Sequence, residues 1–520
     1  MKKLFLLLFV VGYSFVSLYA IECSPASRTD TMPIATFGKQ TGHPFAIEKV
    51  KSVLSSLPIQ EVQGVNIDSI RVTHHYVRFM PSSREEMESI QLRKDLNLYQ
   101  YPLDCVVSEG FVGISNPFLL NGFPQFWAIV PIAFNFKDIN CPFAIESELW
   151  CPSFLCDNLK TNIEQTIPQR IEQTIYDIIC SSSIEMESSQ DVDHRGTTSY
   201  SPGGYVRYQD TVFGACGVQG MEVEAYNFWN HYTDYSNVNG HVSFGTHTFN
   251  GSFRYRLKFT RDDFSLKNEN DSSDIEYVTD SGTCTLSVLF SGDYAKYAAV
   301  FHAAQRYYYQ PIDIPRPPIS SFWLARVWIH VHPNDAHPQG WHGYYHTDYG
   351  TFLWVDRPTI HIYGKDKNGD YLGSSVIYGA TIHELTHAMH FGLDPDLYPS
   401  IQPRVQESLA RGIQLYLTTE RYPNFVVGYN INRYTAIMRD LVDEAKNVSC
   451  DHYYYETTGS TTIDTVSYYD NVNERYTYAE LVEAVKTCTT PYQWFSRVYS
   501  LYNRVPGPVL YPPFKFWFDL

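Results

Sequence analysis

Two histidines four residues apart, His383 and His387, stand in the stretch Thr-Ile-His-Glu-Leu-Thr-His at 381–387, and Glu384 directly follows the first of them. On a helix, residues four apart share a face, so both imidazoles can aim a ring nitrogen at one ion. Imidazole nitrogen binds zinc at about 2.0–2.1 Å, and a catalytic zinc site keeps one position open for water. Glu384 would face that water rather than bind the metal. It can take the water's proton, because a zinc ion brings the water pKa down to about 7. These residue types at this spacing point to hydrolysis by metal-activated water, with Glu384 as the general base.

Such a site needs a third protein ligand. The metzincin pattern would place Gly at 390 and His at 393, but the chain has His390 and Leu393, which excludes that class. The stretch Val-Gln-Glu-Ser-Leu-Ala-Arg-Gly at 405–412 offers Glu407, 20 positions after His387. That interval leaves room for one turn and a returning helix. The expected ligands of one Zn2+ are therefore His383, His387 and Glu407.

The His-Glu-Leu-Thr-His run with Glu407 at this offset resembles the gluzincins, the thermolysin-like and aminopeptidase-like zinc peptidases. The resemblance implies a zincin-like catalytic domain that hydrolyses peptide bonds. Thermolysin-like enzymes carry Asn before this Glu and Asp four positions after it; here Gln406 and Arg411 stand in those places, so the first histidine must be oriented differently. The Gly-x-Met-Glu-Asn run of the aminopeptidase branch is absent, which points to an endopeptidase. A wider resemblance rests on His75-Tyr-Val-Arg-Phe-Met-Pro, Tyr101-Pro-Leu-Asp and Glu407-Ser-Leu-Ala-Arg-Gly, which are similar to exported zinc peptidases of a Bacteroidetes type. The 217–266 stretch resembles their carboxypeptidase-regulatory-like (transthyretin-like) β-sandwich.

Other residues keep more than one reading. His390, one turn beyond His387, either sits behind the ligands or contacts substrate, or packs beneath the helix. Arg411 shares a helical face with Glu407 and pairs with it, with a substrate carboxylate, or in a structural ion pair. His330, His332, His337, His342 and His346 form a cleft rim, a second metal site, or ordinary loop and strand positions. Peptide hydrolysis also needs a donor for the oxyanion. Tyr422, Tyr429, Tyr434 and Tyr453 to Tyr455 are candidates that the sequence does not separate. The strand expected at 359–363, just ahead of the histidines, could take an extended peptide as an added strand.

Elements must position these groups. Apolar spacing predicts helices over 294–309, 375–391 and 403–417, the last with Pro403 in its first turn, where no amide donor is missed. Strands are expected at 325–332 and 359–363, and further helices near 434–445, 478–486 and 491–502. Short alternating strands over 205–290 suggest a small β-sandwich, acting as a substrate- or surface-binding module or as a spacer. The polar stretch 181–204, ending Ser-Pro-Gly-Gly, has linker composition. Ahead of it, 21–190 alternates strand and helix patterns, with a strand at 69–79, a capped helix at 82–94 and a longer helix at 159–179 interrupted at Pro168. The expected fold class is α+β and multi-domain: an N-terminal α/β module (21–190), a small β-sandwich (205–290) and a C-terminal zincin-like metallopeptidase domain (291–520).

The 520 residues are too many for one ordinary core, and 44% hydrophobic with 18% charged residues suits folded domains. A formal charge of −17 excludes the basic footprint that nucleic acid requires. Residues 1–20 read as a signal peptide: Lys2 and Lys3, an apolar run over 4–11, and Ala20 before the cleavage point. Cys23 follows Glu22, the wrong neighbour for lipidation, and no later run is apolar enough to span a membrane. Periplasm, cell surface or extracellular space is the expected location. Ten cysteines in an exported chain suggest disulfides, with Cys216–Cys284 and Cys450–Cys488 each flanking one module. The expected partner is a polypeptide substrate. The alternatives are a glycoprotein-directed zinc peptidase and a non-catalytic adhesin or glycan-binding protein with a structural metal.

Overall fold

The computed structural model describes residues 33–57, 67–153, 169–184, 199–250, 252–279, 285–317, 326–339, 342–349, 356–427, 435–442, 451–455, 464–468, 476–504 and 507–518. They form a mixed α+β structure with several separate sheets. The expected signal segment and Cys23 lie outside the described residues.

The sheet that matters for the histidines has four strands, in the order Phe264–Lys267, Val327–Ala336, Asp356–Lys365, Gly343–Tyr349. The first three run parallel and the last is antiparallel. Alternation along a strand sends successive side chains to opposite faces. Val327, Ile329, Val331, Ile360 and Ile362 are accordingly buried in one core with the helices Asp293–Tyr309 and Ser374–Leu393. Trp328, His330, His332, Thr359 and His361 occupy the alternate positions.

One expectation is corrected here. The 359–363 stretch lies inside Asp356–Lys365, which pairs with Val327–Ala336 on one side and Gly343–Tyr349 on the other. Its backbone groups already belong to the sheet, so it has no edge to offer a peptide. The edge belongs to Gly343–Tyr349, a hairpin partner that folds back on the outside.

The helix Ser374–Leu393 is buried at every position from Ile377 to Phe391, which explains its lack of a polar face. The returning helix Pro403–Arg421 starts with its proline in the first turn, as expected. It continues past 417 to Arg421, and Val405, Leu409, Ile413 and Leu417, at four-residue spacing, bury one continuous stripe along it. The two helices approach closely at Gly379, where a Cβ would stand 2.7 Å from the Phe425 ring and 3.1 Å from the Gln414 amide.

Within 203–290 two sheets face each other across a shared core. Gly203–Asp210, Gly214–Gly217, His241–Ser243 and Leu286–Phe290 form one; Glu222–Tyr226, His231–Tyr235, Arg254–Lys258 and Glu276–Val278 form the other. Gly110–Val112 extends the second sheet, and Phe264–Lys267 leaves the region to join the histidine-bearing sheet. A single apolar core therefore runs from Phe111 through Tyr255 and Ile329 to Phe518. The N-terminal residues carry a three-stranded antiparallel sheet of Phe126–Pro131, His74–Phe79 and Phe143–Leu149. The helix Arg84–Gln91 follows, with Ser83 accepting from the Glu86 amide at its start.

No helix among the described residues is long and apolar enough to cross a membrane. Among them, Cys105, Cys141, Cys216 and Cys488 carry free thiols. Cys284 and Cys450, the expected partners of Cys216 and Cys488, lie outside the described residues.

Candidate metal centre

The buried histidine helix and the amphipathic glutamate helix bring three donors together. His383 Nε2 lies 3.0 Å from Glu407 Oε2, and His387 Nε2 lies 3.4 Å from the same oxygen. The two imidazole nitrogens are 3.2 Å apart. Donors held about 2.0–2.2 Å from a common tetrahedral ion stand roughly 3.3–3.6 Å from one another. The observed triangle is close to that size, and its three residues are each 7% exposed. Nitrogen, nitrogen and carboxylate oxygen are a donor set suited to zinc, so the residues present fit the ion that the spacing implies.

Electrostatics agree with that chemistry. Burial lowers the pKa of His383 to about 4, against the opposing pull of its hydrogen bond to Glu407. At neutral pH its ring is therefore uncharged, the form whose lone pair can bind a metal. Burial pushes the Glu407 carboxyl upward, but the charge of His387 and the hydrogen bonds of His383 and His387 outweigh it and hold Glu407 well below the usual range.

Glu384, 6% exposed, is seated against the edge strand. A Cβ built on Gly343 would come within 2.9 Å of Glu384 Cγ and 3.1 Å of its Oε1. Glycine at this point of Gly343–Tyr349 is what leaves room for the carboxylate. Tyr398 supplies the other support. Its hydroxyl is 3.2 Å from His387 Nδ1 and its partly buried ring packs against Tyr345 and Phe391. Burial, then the Glu407 and Glu384 carboxylates, raise the Tyr398 pKa, so it stays a neutral phenol.

Neither Tyr398 nor Gly343 was expected from sequence. Tyr398 is the only tyrosine in the connection 394–402 between the two helices. That position was the available signal, because a short connection from the histidine helix back to the glutamate helix passes beside His387.

The remaining candidates fall in different places. His390 is 2% exposed, neither ring nitrogen has a hydrogen-bond partner among the described residues, and its ring meets Tyr398 edge-on at 5.3 Å. It packs beneath the helix. Arg411 donates from Nη1 to Gln414 Oε1 at 2.9 Å. It is also close enough to His342 to help lower that residue's pKa, behind the larger effect of burial. Tyr422 donates to Asp210 Oδ2 at 2.6 Å and stacks on Phe213, so it joins the returning helix to the sandwich instead of serving the metal centre. Tyr429 and Tyr434 lie outside the described residues, as do the side chains of Tyr453 to Tyr455. A cavity of about 690 Å³ lined by Arg207, Cys216, His302, Arg306, Tyr378 and Arg421 contains none of the three ligands.

His330, His332, His346 and His361 gather separately, on the sheet. His332 Nε2 is 2.9 Å from His361 Nδ1, and His346 Nε2 is 3.1 Å from His361 Nε2. Tyr344 stacks on His361 with centroids 4.4 Å apart. Burial, followed by the neighbouring imidazoles, pushes the His361 pKa down to about 2, so that ring is uncharged at neutral pH. Beside it, Glu269, His332 and Asp335 place one donor atom each within 4.8 Å of one another.

No protein-family model, curated protein or solved structure matches this chain.

Proposed function

We propose that this chain is a zinc-dependent endopeptidase whose ion is held by His383, His387 and Glu407 and whose general base is Glu384. The convergence of three buried donors at 3.0–3.4 Å, with an adjacent carboxylate that takes no place among them, carries this reading. A structural zinc normally takes four protein ligands, whereas among the described residues this arrangement offers three and so leaves a position for water. That favours hydrolysis over the alternative of an adhesin with a structural metal.

When bound, zinc supplies Lewis acidity, which polarises a carbonyl and makes water easier to deprotonate. Glu384 receives the proton from the attacking water and delivers it to the departing amine. Tyr398 and the buried walls fix the His387 ring, while Gly343 allows the Glu384 carboxylate to lie beside the edge strand. No further strand pairs with Gly343–Tyr349 among the described residues. An extended polypeptide added to that edge would pass directly over Glu384, a geometry that suits cleavage within a chain.

Metal analysis of purified protein, paired with peptide-library hydrolysis by wild type and Glu384→Gln, tests the assignment. The expected result is one zinc retained at this centre and cleavage reduced by about 10²–10⁴-fold. Undiminished cleavage by Glu384→Gln would overturn it.

A further inference from the structure

We infer that Glu269, His332 and Asp335 form a second cation site, for a divalent transition ion such as Zn2+, on the sheet and separate from the centre at His383. Phe264–Lys267 runs parallel to Val327–Ala336 with Lys267 opposite His330. The chain reverses just past Lys267, where Asn268 and Ser273 are hydrogen-bonded, and Glu269 lies in that turn, near His332. The strand Val327–Ala336 shifts register between His332 and Ala336, and Asp335 lies in that irregular stretch. His332 Nδ1 lies 4.0 Å from Asp335 Oδ2, and all three donors fit within 4.8 Å.

Two carboxylates and one imidazole are a ligand set for a borderline divalent ion rather than for an anion. The imidazole row is arranged to follow from an ion on His332. A metal-binding histidine ordinarily donates its other ring N–H to a fixed acceptor. With an ion on Nδ1, His332 must carry its hydrogen on Nε2 and donate to His361 Nδ1, 2.9 Å away. His361 then carries its hydrogen on Nε2 and donates to His346 Nε2 at 3.1 Å. His330 stands apart from this relay, because its Nδ1 faces the Asn268 carbonyl at 2.7 Å and must donate there. One ion thus sets every tautomer along His332, His361 and His346, and Tyr344 stacked on His361 holds the middle ring in plane. The site does not extend further across the sheet, because Arg84 covers Trp328 at 3.6 Å and closes that end.

The inference is independent of the peptidase reading, and its test is a difference in stoichiometry. Wild type and Glu269→Gln/Asp335→Asn are dialysed against the same free zinc, held in the micromolar range, and bound zinc per chain is measured. The same pair is compared in a His383→Ala/His387→Ala background; if that background does not fold, the wild-type background decides alone. The carboxylate variant is expected to hold one zinc ion fewer per chain than its parent, with an unchanged circular dichroism spectrum. Equal zinc in parent and carboxylate variant would overturn the inference, whatever happens at His383.

Discussion

The Tyr398 hydroxyl stands 3.2 Å from His387 Nδ1, on the side of the ring opposite the nitrogen that faces Glu407. With Nε2 turned toward an ion, Nδ1 carries the hydrogen and donates to the phenol oxygen. Tyr398 thereby selects the tautomer and holds the ring plane. Partners of this kind are worth about 10–100-fold in metal affinity. Tyr398→Phe keeps the ring packing against Tyr345 and Phe391 and removes only the acceptor. It is expected to weaken zinc binding within that range in a chelator competition, while the melting temperature of the metal-free protein changes little. Affinity equal to wild type would show that packing alone orients His387.

Gly343 sets a second, sharper constraint. A methyl group there would stand 2.9 Å from Glu384 Cγ and 3.1 Å from the His361 carbonyl. The side chain is the part that can yield, so Gly343→Ala should displace the carboxylate while the three metal ligands stay in place. A misplacement near 1 Å costs on the order of 10²-fold in rate. Steady-state hydrolysis should fall by that order while zinc content remains at the wild-type value. Loss of zinc together with activity would mean that the strand itself had moved.

Much of this centre was readable from spacing, and the reason is local. His383 and His387 are one turn apart, and Val405, Leu409, Ile413 and Leu417 announce a helix whose phase fixes where Glu407 points. Strand order was not readable in the same way. The 359–363 stretch directly precedes the histidine helix in sequence, yet the hairpin from Gly343–Tyr349 takes the edge, a long-range choice that leaves no local periodicity. Glu269 and His332 illustrate the same limit: their proximity follows from a parallel pairing between strands about 60 residues apart. Tyr398 escaped notice because turns carry no repeat.

The sandwich holds a buried ion pair whose removal should be costly. Arg256 is fully buried and donates from Nε to Glu224 Oε2 at 2.7 Å, and further to the Leu98 carbonyl and Asn97 Oδ1. Deleting one member leaves a desolvated charge, typically destabilising by about 3–5 kcal/mol. Glu224→Ala is expected to lose that much in denaturant unfolding. Arg256→Met/Glu224→Leu, which removes both charges and restores volume, should lose clearly less. If the double variant is as unstable as Glu224→Ala, the bonds to Leu98 and Asn97 dominate, not the pair.

His43 gives the chain a measurable acid sensitivity. Its ring sits among Phe45, Tyr76, Phe228 and Trp229, and Nδ1 accepts from the Phe45 amide. Burial, with a smaller contribution from Lys49, lowers its pKa to about 3 from an ordinary 6.5. The folded ring is therefore neutral while the unfolded chain binds a proton below pH 6.5. Stability rises with pH wherever the unfolded state holds more protons, so the contribution is complete above about pH 6.5 and is lost progressively down to about pH 3. At pH 5 the loss from this residue alone is about 2 kcal/mol relative to neutral pH. His43→Phe removes the titrating group, so its unfolding midpoint should fall less between pH 7 and pH 5 than that of wild type, whatever its stability at pH 7. Parallel losses in the two proteins would assign the acid sensitivity to other groups, of which His302, lowered to about 3 chiefly by burial, is the next to replace.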